Sequence, residues 1–391
     1  MTSDPSDPGA PVLVGGRRTA VGTAGHAFAH CDVVELTSPV LTAVAEQVEA
    51  LALPIDDVII GNCLGPGGNI ARVSALAAGL GDSVPGVTVD RQCGSGLEAI
   101  AQAASRIRAG DDALILAGGA ESASTAPWRY WPPVGTADPV RYTRAPFAPA
   151  GYPDPGMGEA ADELARLRGV TRQRQDRYAA RSHALTFRAR QAGLYEAEIV
   201  AAKDISQDER PRSGMHEERL ARLRPSFGPA GTATAGNSCG ISDGAAAVAV
   251  TTRSAAAGAG LPYLRIVATA VAAARSDLPG LGPAPAVRRL LNRPAVTTPG
   301  ISLADIGAVE ITEAFASVVL AVIDDLGIDE ELVCAEGGAI GLGHPWGASG
   351  TILAIRLASR MLRDGGPRLG LAACAIGGGQ GLAMLLERPE H

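Results

Sequence analysis

The spacing of apolar positions changes along the chain, and the changes mark out its elements. Residues 11–14 (Pro-Val-Leu-Val) form a continuous apolar run that reads as a buried strand. Asp32-Val33-Val34-Glu35 has the form of a capping box and opens a helix that runs to about residue 51. Residues 58–60 read as a short buried strand, a helical stretch starts at Ala71, and 87–90 is a further strand. After a glycine turn the pattern predicts a helix over 97–108 and a strand over 113–117. Such alternation predicts an α/β fold with a parallel-rich sheet covered by helices.

The segment 120–230 breaks this rhythm. It carries Trp128, Trp131, prolines at 132–133 and through 146–155, and then a strongly charged helical region over 172–191. After Gly231 the layered texture resumes with apolar runs at 245–250 and 264–270, and a strand at 308–311 leads into a helix over 313–326. The chain therefore divides into a polar, disordered N-terminus (1–10), a layered part from 11 to 119, an excursion (120–230) and a second layered part from Gly231 on. An internal echo links the layered parts. The run Ala104-Ser-Arg-Ile-Arg before the strand at 113–117 resembles Ala358-Ser-Arg-Met-Leu-Arg before 369–373, and both helices are expected to start at a Ser-Gly pair, Ser95-Gly96 and Ser349-Gly350.

Composition narrows the class. The 391 residues are 46% hydrophobic and 19% charged, enough for a large core, while aromatics at 4% and 49 glycines mean that helices and sheets pack closely through small side chains. A net charge of −7, with no basic run longer than two, leaves no footprint for nucleic acid or anionic lipid. Met1–Ala10 lacks the basic start and apolar core of a secretory signal, and no run reaches membrane-spanning length, so a cytoplasmic location is expected. Six cysteines at 31, 63, 93, 239, 334 and 374 form no C-x-x-C pair and read as free thiols. His216-Glu217 begins a zincin-like pattern that no later histidine completes, so no metal is expected.

Three places carry candidate chemistry. Cys93 lies between an apolar strand and Gly94-Ser95-Gly96, so its sulfur should sit at the first turn of a helix, where free N–H groups favour thiolate; the alternative is a small buried hydrophobe. His344 lies in a glycine-rich run from Gly337 to Gly350, where it could take a thiol proton, or could be a turn residue facing solvent. Cys374-Ala375-Ile376-Gly377-Gly378-Gly379-Gln380-Gly381 could present backbone N–H groups to an oxyanion. No phosphate loop and no G-x-S-x-G elbow occurs, which removes support for nucleotide hydrolysis and serine hydrolase chemistry.

These blocks resemble one family. Cys-Gly-Ser-Gly-Leu-x-Ala-Ile at 93–100, Glu-Ala-Phe-Ala at 313–316, Gly-His-Pro-x-Gly-Ala-Ser-Gly at 343–350 and Ile-Gly-Gly-Gly-Gln-Gly at 376–381 are similar to thiolase motifs, in thiolase order. The likeness extends to Met157-Gly158, Leu223–Phe227 and Gly231–Gly244, hence over nearly the whole chain. The resemblance implies a five-layered fold of two similar βαβαβαββ halves, the first over 11–119 with 231–262 and the second over 263–391, an inserted loop domain over 120–230 that binds coenzyme A, and a dimer or dimer of dimers. It implies an acyltransferase in which Cys93 takes the acyl group, His344 activates it and joins one oxyanion hole, and the backbone of Cys93 and Gly377 forms another. Positions matching the coenzyme A contacts are Met157, Arg212, Phe227, Ala235, Cys239 and Phe315. A coenzyme A thioester is then the substrate, with no permanently bound cofactor.

The chain departs from the family pattern in three places. The position just before Ile-Gly-Gly-Gly, where thiolases place the cysteine that deprotonates the acceptor acetyl-CoA, is Ala375. Removing such a group typically costs about 10²–10⁴-fold in rate. Cys374 is adjacent, but neighbouring side chains of a strand face opposite ways, so rescue by Cys374 would need a bulge or a shifted register. Thr312 replaces the asparagine that holds an oxyanion-hole water, and Cys239 replaces a serine on the pantetheine arm. Three functions stay open: an acyltransferase with a different second half-reaction, an ordinary acetyl-CoA acyltransferase with Cys374 or another group as base, and a non-catalytic acyl-CoA-binding subunit.

Overall fold

The structure, a computed structural model, describes residues 7–389. The N-terminal expectation for 1–10 thus falls largely outside the described residues. Within them, the carbonyls of Pro8 and Ala10 accept from Ser254 and Arg253 N–H.

Nine strands run side by side across the main sheet: β1 (Pro11–Arg18), β2 (Asp57–Gly61), β3 (Gly86–Val89), β4 (Leu114–Glu121), β5 (Ser242–Thr252), β6 (Tyr263–Ala273), β7 (Ala308–Ile311), β8 (Leu369–Ile376) and β9 (Gln380–Glu387), and a tenth, the two-residue strand Gly22–Thr23, pairs with the start of β5 off that path. Their order is β7-β8-β9-β6-β1-β5-β4-β2-β3. The expected parallel-rich sheet is corrected here. Only β2–β3, β2–β4 and β7–β8 run parallel, and the other five neighbouring pairs are antiparallel. Parallel pairing persists where a helix crosses over between strands, and antiparallel pairing takes over where a tight turn or a long excursion returns the chain.

The helices of eight residues or more are α1 (Val33–Gln47), α2 (Ile70–Ala77), α3 (Ser95–Ala109), α4 (Met157–Arg168), α5 (Arg172–Gln191), α6 (Pro283–Leu291), α7 (Ala316–Leu326) and α8 (Trp346–Met361). The capping box of α1 is formed as read, with Asp32 accepting from Val34 and Glu35 N–H and Glu35 accepting from Asp32 N–H. The five layers follow from which apolar faces meet. One core cluster joins α1 and α2 to one face of the β1–β5 half, a second joins α3 and α8 to strands of both halves, and a third joins α6 and α7 to the outer face of β6–β9. Small residues let the two middle helices touch: a Cβ on Gly96 would stand 2.5 Å from Thr351 Oγ1 and 2.8 Å from Gly347 O.

Two helix starts differ from expectation. The helix placed at 313 begins at Ala316, because Phe315 is extended (φ −144°, ψ 145°) and bridges Ser238, while Glu313 is consumed by Tyr178 Oη (2.8 Å), Ser182 Oγ (2.7 Å) and Ile340 N–H (3.0 Å). The second helix of the echo begins at Trp346 rather than Ser349, since Pro345 caps it. Between β4 and β5 the chain leaves the main sheet, forms a small hairpin (Arg129–Trp131 with Val140–Tyr142), and packs α4 and α5 against α7.

Candidate active site

Cys93 lies where β3 hands over to α3. Gln92 adopts the left-handed conformation (φ +46°), held by its N–H on Asp90 Oδ1 (2.7 Å). Ser95 closes the turn, its hydroxyl accepting from Arg91 N–H (2.8 Å) and donating to Gln92 C=O (2.6 Å). A left-handed non-glycine residue is a strained feature that the surrounding bonds must hold, and here it aims the next side chain. Gly94 rests against the Ile376 side chain so closely that a Cβ would collide with it, so the turn sits directly on the end of β8. Cys93 remains partly exposed. The expectation that the helix start favours thiolate is reversed: burial pushes the thiol up, and Cys374 and Cys239 push it further. Cys93 therefore rests as a thiol and needs a base at hand.

His344 is 2% exposed, which excludes the solvent-facing reading. Its N–H donates to Gly240 C=O (3.1 Å), tying it beside the loop that precedes β5. Its Nδ1 lies 2.6 Å from Ser349 Oγ, in the first turn of α8, and that hydroxyl is also 3.1 Å from Pro345 C=O. With the single Ser349 hydrogen assigned to that carbonyl, Ser349 accepts from Nδ1–H and Nε2 carries the lone pair. Nε2 is buried without a hydrogen-bond partner among the described residues. Burial lowers the ring to about 4, so the imidazole is neutral at neutral pH.

Glu121, at the end of β4, anchors the start of α8. Its Oε1 accepts from Asn62 Nδ2 (3.0 Å) and Leu64 N–H (3.1 Å), and its Oε2 from Cys63 N–H (3.2 Å) and Gly347 N–H (3.1 Å). Burial pushes this carboxyl up to about 7 despite those donors.

The β8–β9 pairing runs in unbroken register through Cys374–Leu382, Ala375–Gly381 and Ile376–Gln380, so no bulge brings Cys374 round. Cys374 is fully buried in the central core, its Sγ 3.0 Å from Thr312 Oγ1, and burial pushes it up to about 12. One of the three departures thus bears on the candidate replacement base, because Thr312 spends its hydroxyl on Cys374. Ala375 faces the other way and shares an apolar cluster with Phe315, Met157 and Ala314. Gly377 is covered by Phe147, whose ring would meet any Cβ there at 2.7 Å. Arg144 lies over that ring (4.8 Å to its centroid) and pairs with Asp154, which also accepts from Phe147 N–H (3.1 Å).

The positions matched to coenzyme A contacts fall into two groups. Met157 and Phe315 share the apolar cluster with Ala375, and Phe227 meets Phe315 edge to face at 5.8 Å while lying on Gly158, where a Cβ would strike its ring. Ala235 and Arg212 are exposed, and Cys239 is partly exposed, its N–H bonded to Ala314 C=O (3.0 Å) and its thiol pushed up to about 12 by burial against the opposing pull of Arg210. A cavity of about 550 Å³ lies beside Phe227, lined by α4 and residues 227–232, and does not include Cys93 or His344.

Residue patterns alone missed Glu121, Phe147 and Arg210. A carboxylate ending the apolar run Leu114–Glu121 was a readable signal, whereas Phe147 and Arg210 sit in irregular segments where nothing in the pattern sets their direction. Among the described residues no group of three or more His, Cys, Asp or Glu is placed to hold a metal ion, and no helix is long and apolar enough to cross a membrane.

Comparison with known proteins places the chain among relatives. Residues 11–254 match the thiolase N-terminal domain family and residues 261–388 the thiolase C-terminal domain family. The sequence is 41% identical to an acetyl-CoA acetyltransferase of Escherichia coli, over 96% of this chain and 98% of that one. It is 39% identical to a putative acetyl-CoA C-acetyltransferase of Bacillus subtilis, over 96% and 98%. The crystal structure of the Bacillus anthracis acetyl-CoA acetyltransferase superposes with a TM-score of 0.89 at 36% identity, covering 97% of this chain and 99% of that one.

Proposed function

The chain belongs to the thiolase family, and from that premise we propose that it is an acyl-CoA acyltransferase that carries the acyl group on Cys93 and completes its second half-reaction without the usual cysteine base. The observation that carries the first part is the free, neutral Nε2 of His344. In the first half-reaction it takes the Cys93 proton as the sulfur attacks the thioester carbonyl, and it returns that proton to the departing coenzyme A thiolate. Backbone N–H groups of Cys93 and Gly377 are the donors for the oxyanion that forms. Met157, Phe227 and Phe315 wall the pantetheine arm, with Ala235 and Cys239 along it and Arg212 toward the phosphates.

The orientation at 374–375 supports the second part. The side chain on the wall is a methyl group, while the adjacent thiol is turned into the core and held by Thr312. An acceptor that needs no cysteine-assisted deprotonation fits this arrangement: an amine, an alcohol, an already activated carbon or a decarboxylating malonyl unit. An ordinary acetyl-CoA acyltransferase using Cys374 is the competing reading. The protein is taken to work in the cytoplasm as a homodimer or dimer of dimers.

Incubation with acetyl-CoA followed by intact-mass measurement tests the proposal. An acetyl adduct that disappears in Cys93→Ala is expected, and absence of any adduct with several acyl-CoAs would instead favour a binding subunit. Acetoacetyl-CoA thiolysis at ordinary rates that is lost in Cys374→Ala would refute the altered second step.

A further inference from the structure

β7 carries a charge into the centre of the molecule. Val309 and Ile311 join the outer core cluster with α7, while Ala308 joins the inner cluster with α8. Alternation along the strand puts Glu310, and then Thr312, on the α8 side as well, and Glu310 is 1% exposed. Its Oε1 accepts from Arg360, but its Oε2 is buried with no hydrogen-bond partner among the described residues. On α8, Arg356 gives Nη1 to Glu198 and Nη2 to Glu336, and its Nε is likewise buried without a partner. A charged acceptor and a charged donor are thus both unsatisfied, and they do not bond each other.

Both residues line one small cavity of about 20 Å³, together with Thr312, Ser349, Val21 and residues of the 337–343 run. A space of that size holds a single water, and a buried water is retained where it has two to four polar partners. Thr312 is already engaged by Cys374 (3.0 Å). Ser349 keeps one lone pair after accepting from His344 Nδ1–H and donating to Pro345 C=O. The same cavity is the rear of the active site. Taking the Cys93 proton turns His344 into an imidazolium, and burial opposes that charge. The one side chain bonded to the ring, Ser349, is neutral. Glu310 is the carboxylate that lines the cavity behind it; burial raises this group, and Arg360 and Arg356 draw it back toward the charged form.

We propose that one water in this cavity accepts from Arg356 Nε–H and donates to Glu310 Oε2 and Ser349 Oγ, so that Glu310 steadies His344 while the ring holds the Cys93 proton. The proposal rests on the reading of His344 as the base. Each group in the chain is then satisfied: the guanidinium N–H, the carboxylate oxygen, the last Ser349 lone pair and both hydrogens of the water. No proton travels along it. The carboxylate acts by its charge and by fixing the Ser349 hydroxyl, which fixes the His344 tautomer in turn. Glu310 is therefore a positioning residue that never touches substrate.

A high-resolution crystal structure of the wild-type protein is expected to show one water within hydrogen-bonding distance of Arg356 Nε and Glu310 Oε2; a dry cavity overturns the proposal whatever the variants do. In rapid-quench measurements, acylation of Cys93 by acetyl-CoA should slow by about 10- to 100-fold in Glu310→Gln, with the half-saturating concentration unchanged. Ser349→Ala should slow it similarly, and the double variant should be no more than about threefold slower than the slower single one, because both act through one chain. Glu336→Gln, which removes a partner of Arg356 outside the cavity, should lower the denaturation midpoint and leave acylation within about threefold of wild type. Val21→Ile adds bulk at the cavity wall without deleting a polar group, and should slow acylation as Glu310→Gln does. Losses that multiply in the double variant, an equal loss in Glu336→Gln, or full activity in Val21→Ile with the water displaced would each overturn the proposal. Normal acylation in Glu310→Gln counts against Glu310 alone, whereas a wild-type protein that forms no adduct removes the His344 reading and this one together.

Discussion

At the scale of single residues, the site turns on which way two neighbouring side chains point. Ala375 shares an apolar cluster with Phe315 and Met157, and Cys374 is buried on the opposite face, so a thiol restored at 375 would stand on the side proposed to wall the pantetheine arm. Ala375→Cys is expected to raise acetoacetyl-CoA thiolysis by about 10²-fold or more, measured at saturating coenzyme A; no gain would mean that Thr312, not Ala375, limits the reaction. His344 makes a second, pH-dependent prediction. A ring lowered to about 4 loses its function as base only when pH falls toward 4, because above that value it is already neutral. The rate of Cys93 acylation should accordingly show no His344 limb between pH 5 and 8 in stopped-flow measurements. An acid limb with a midpoint near 6.5 would contradict the buried, neutral imidazole.

The elements matter through how closely they approach one another. α3 and α8 deliver Cys93 and the Ser349 partner of His344, and they touch through Gly96, Gly347 and Gly350 with almost no side chain between them. Gly96→Ala would place a methyl group against Thr351 Oγ1 and the Gly347 carbonyl, and backbone at that distance cannot rotate away. A loss of about 1–3 kcal/mol in urea denaturation is expected, with slower acylation because the two helix starts are forced apart. An unchanged denaturation midpoint would mean that the helices have slack that this packing does not suggest.

Across the whole molecule, the irregular segment is tied to both halves by a buried ionic knot. Glu198 accepts from Arg18 Nε of β1 (3.0 Å), from Arg356 of α8 and from Ser359 Oγ (2.6 Å), while Asp208 takes the rest of Arg18 and Tyr195 lies beneath both guanidiniums. Removing one charge leaves two buried cations short of a partner. Glu198→Gln is expected to cost about 3 kcal/mol and to open residues 190–215 to limited proteolysis before the core unfolds. A loss below about 1 kcal/mol would indicate that Asp208 and Glu336 alone satisfy both arginines.

Much of this protein was already determined by its sequence, because local rules act on neighbouring residues. The capping box of α1, the strand at 308–311 and the turn around Cys93 were legible for that reason, as were the ordered blocks that carry the family likeness. Period and capping could not say that most sheet neighbours run antiparallel, since pairing direction depends on where distant strands return. Nor could they show that Glu313 is drawn out of a helix by Tyr178, Ser182 and Ile340. The state of Cys93 was also misjudged from the chain alone: a helix start favours the thiolate, but burial beside two other thiols outweighs it. The contact between Thr312 and Cys374 and the burial that keeps the His344 ring neutral both belong to the tertiary structure. Thr312 and Cys374 lie 62 residues apart and meet only because β7 pairs with β8, whereas the bond between His344 and Ser349 is local, five residues apart, and only the burial of that ring comes from the rest of the fold.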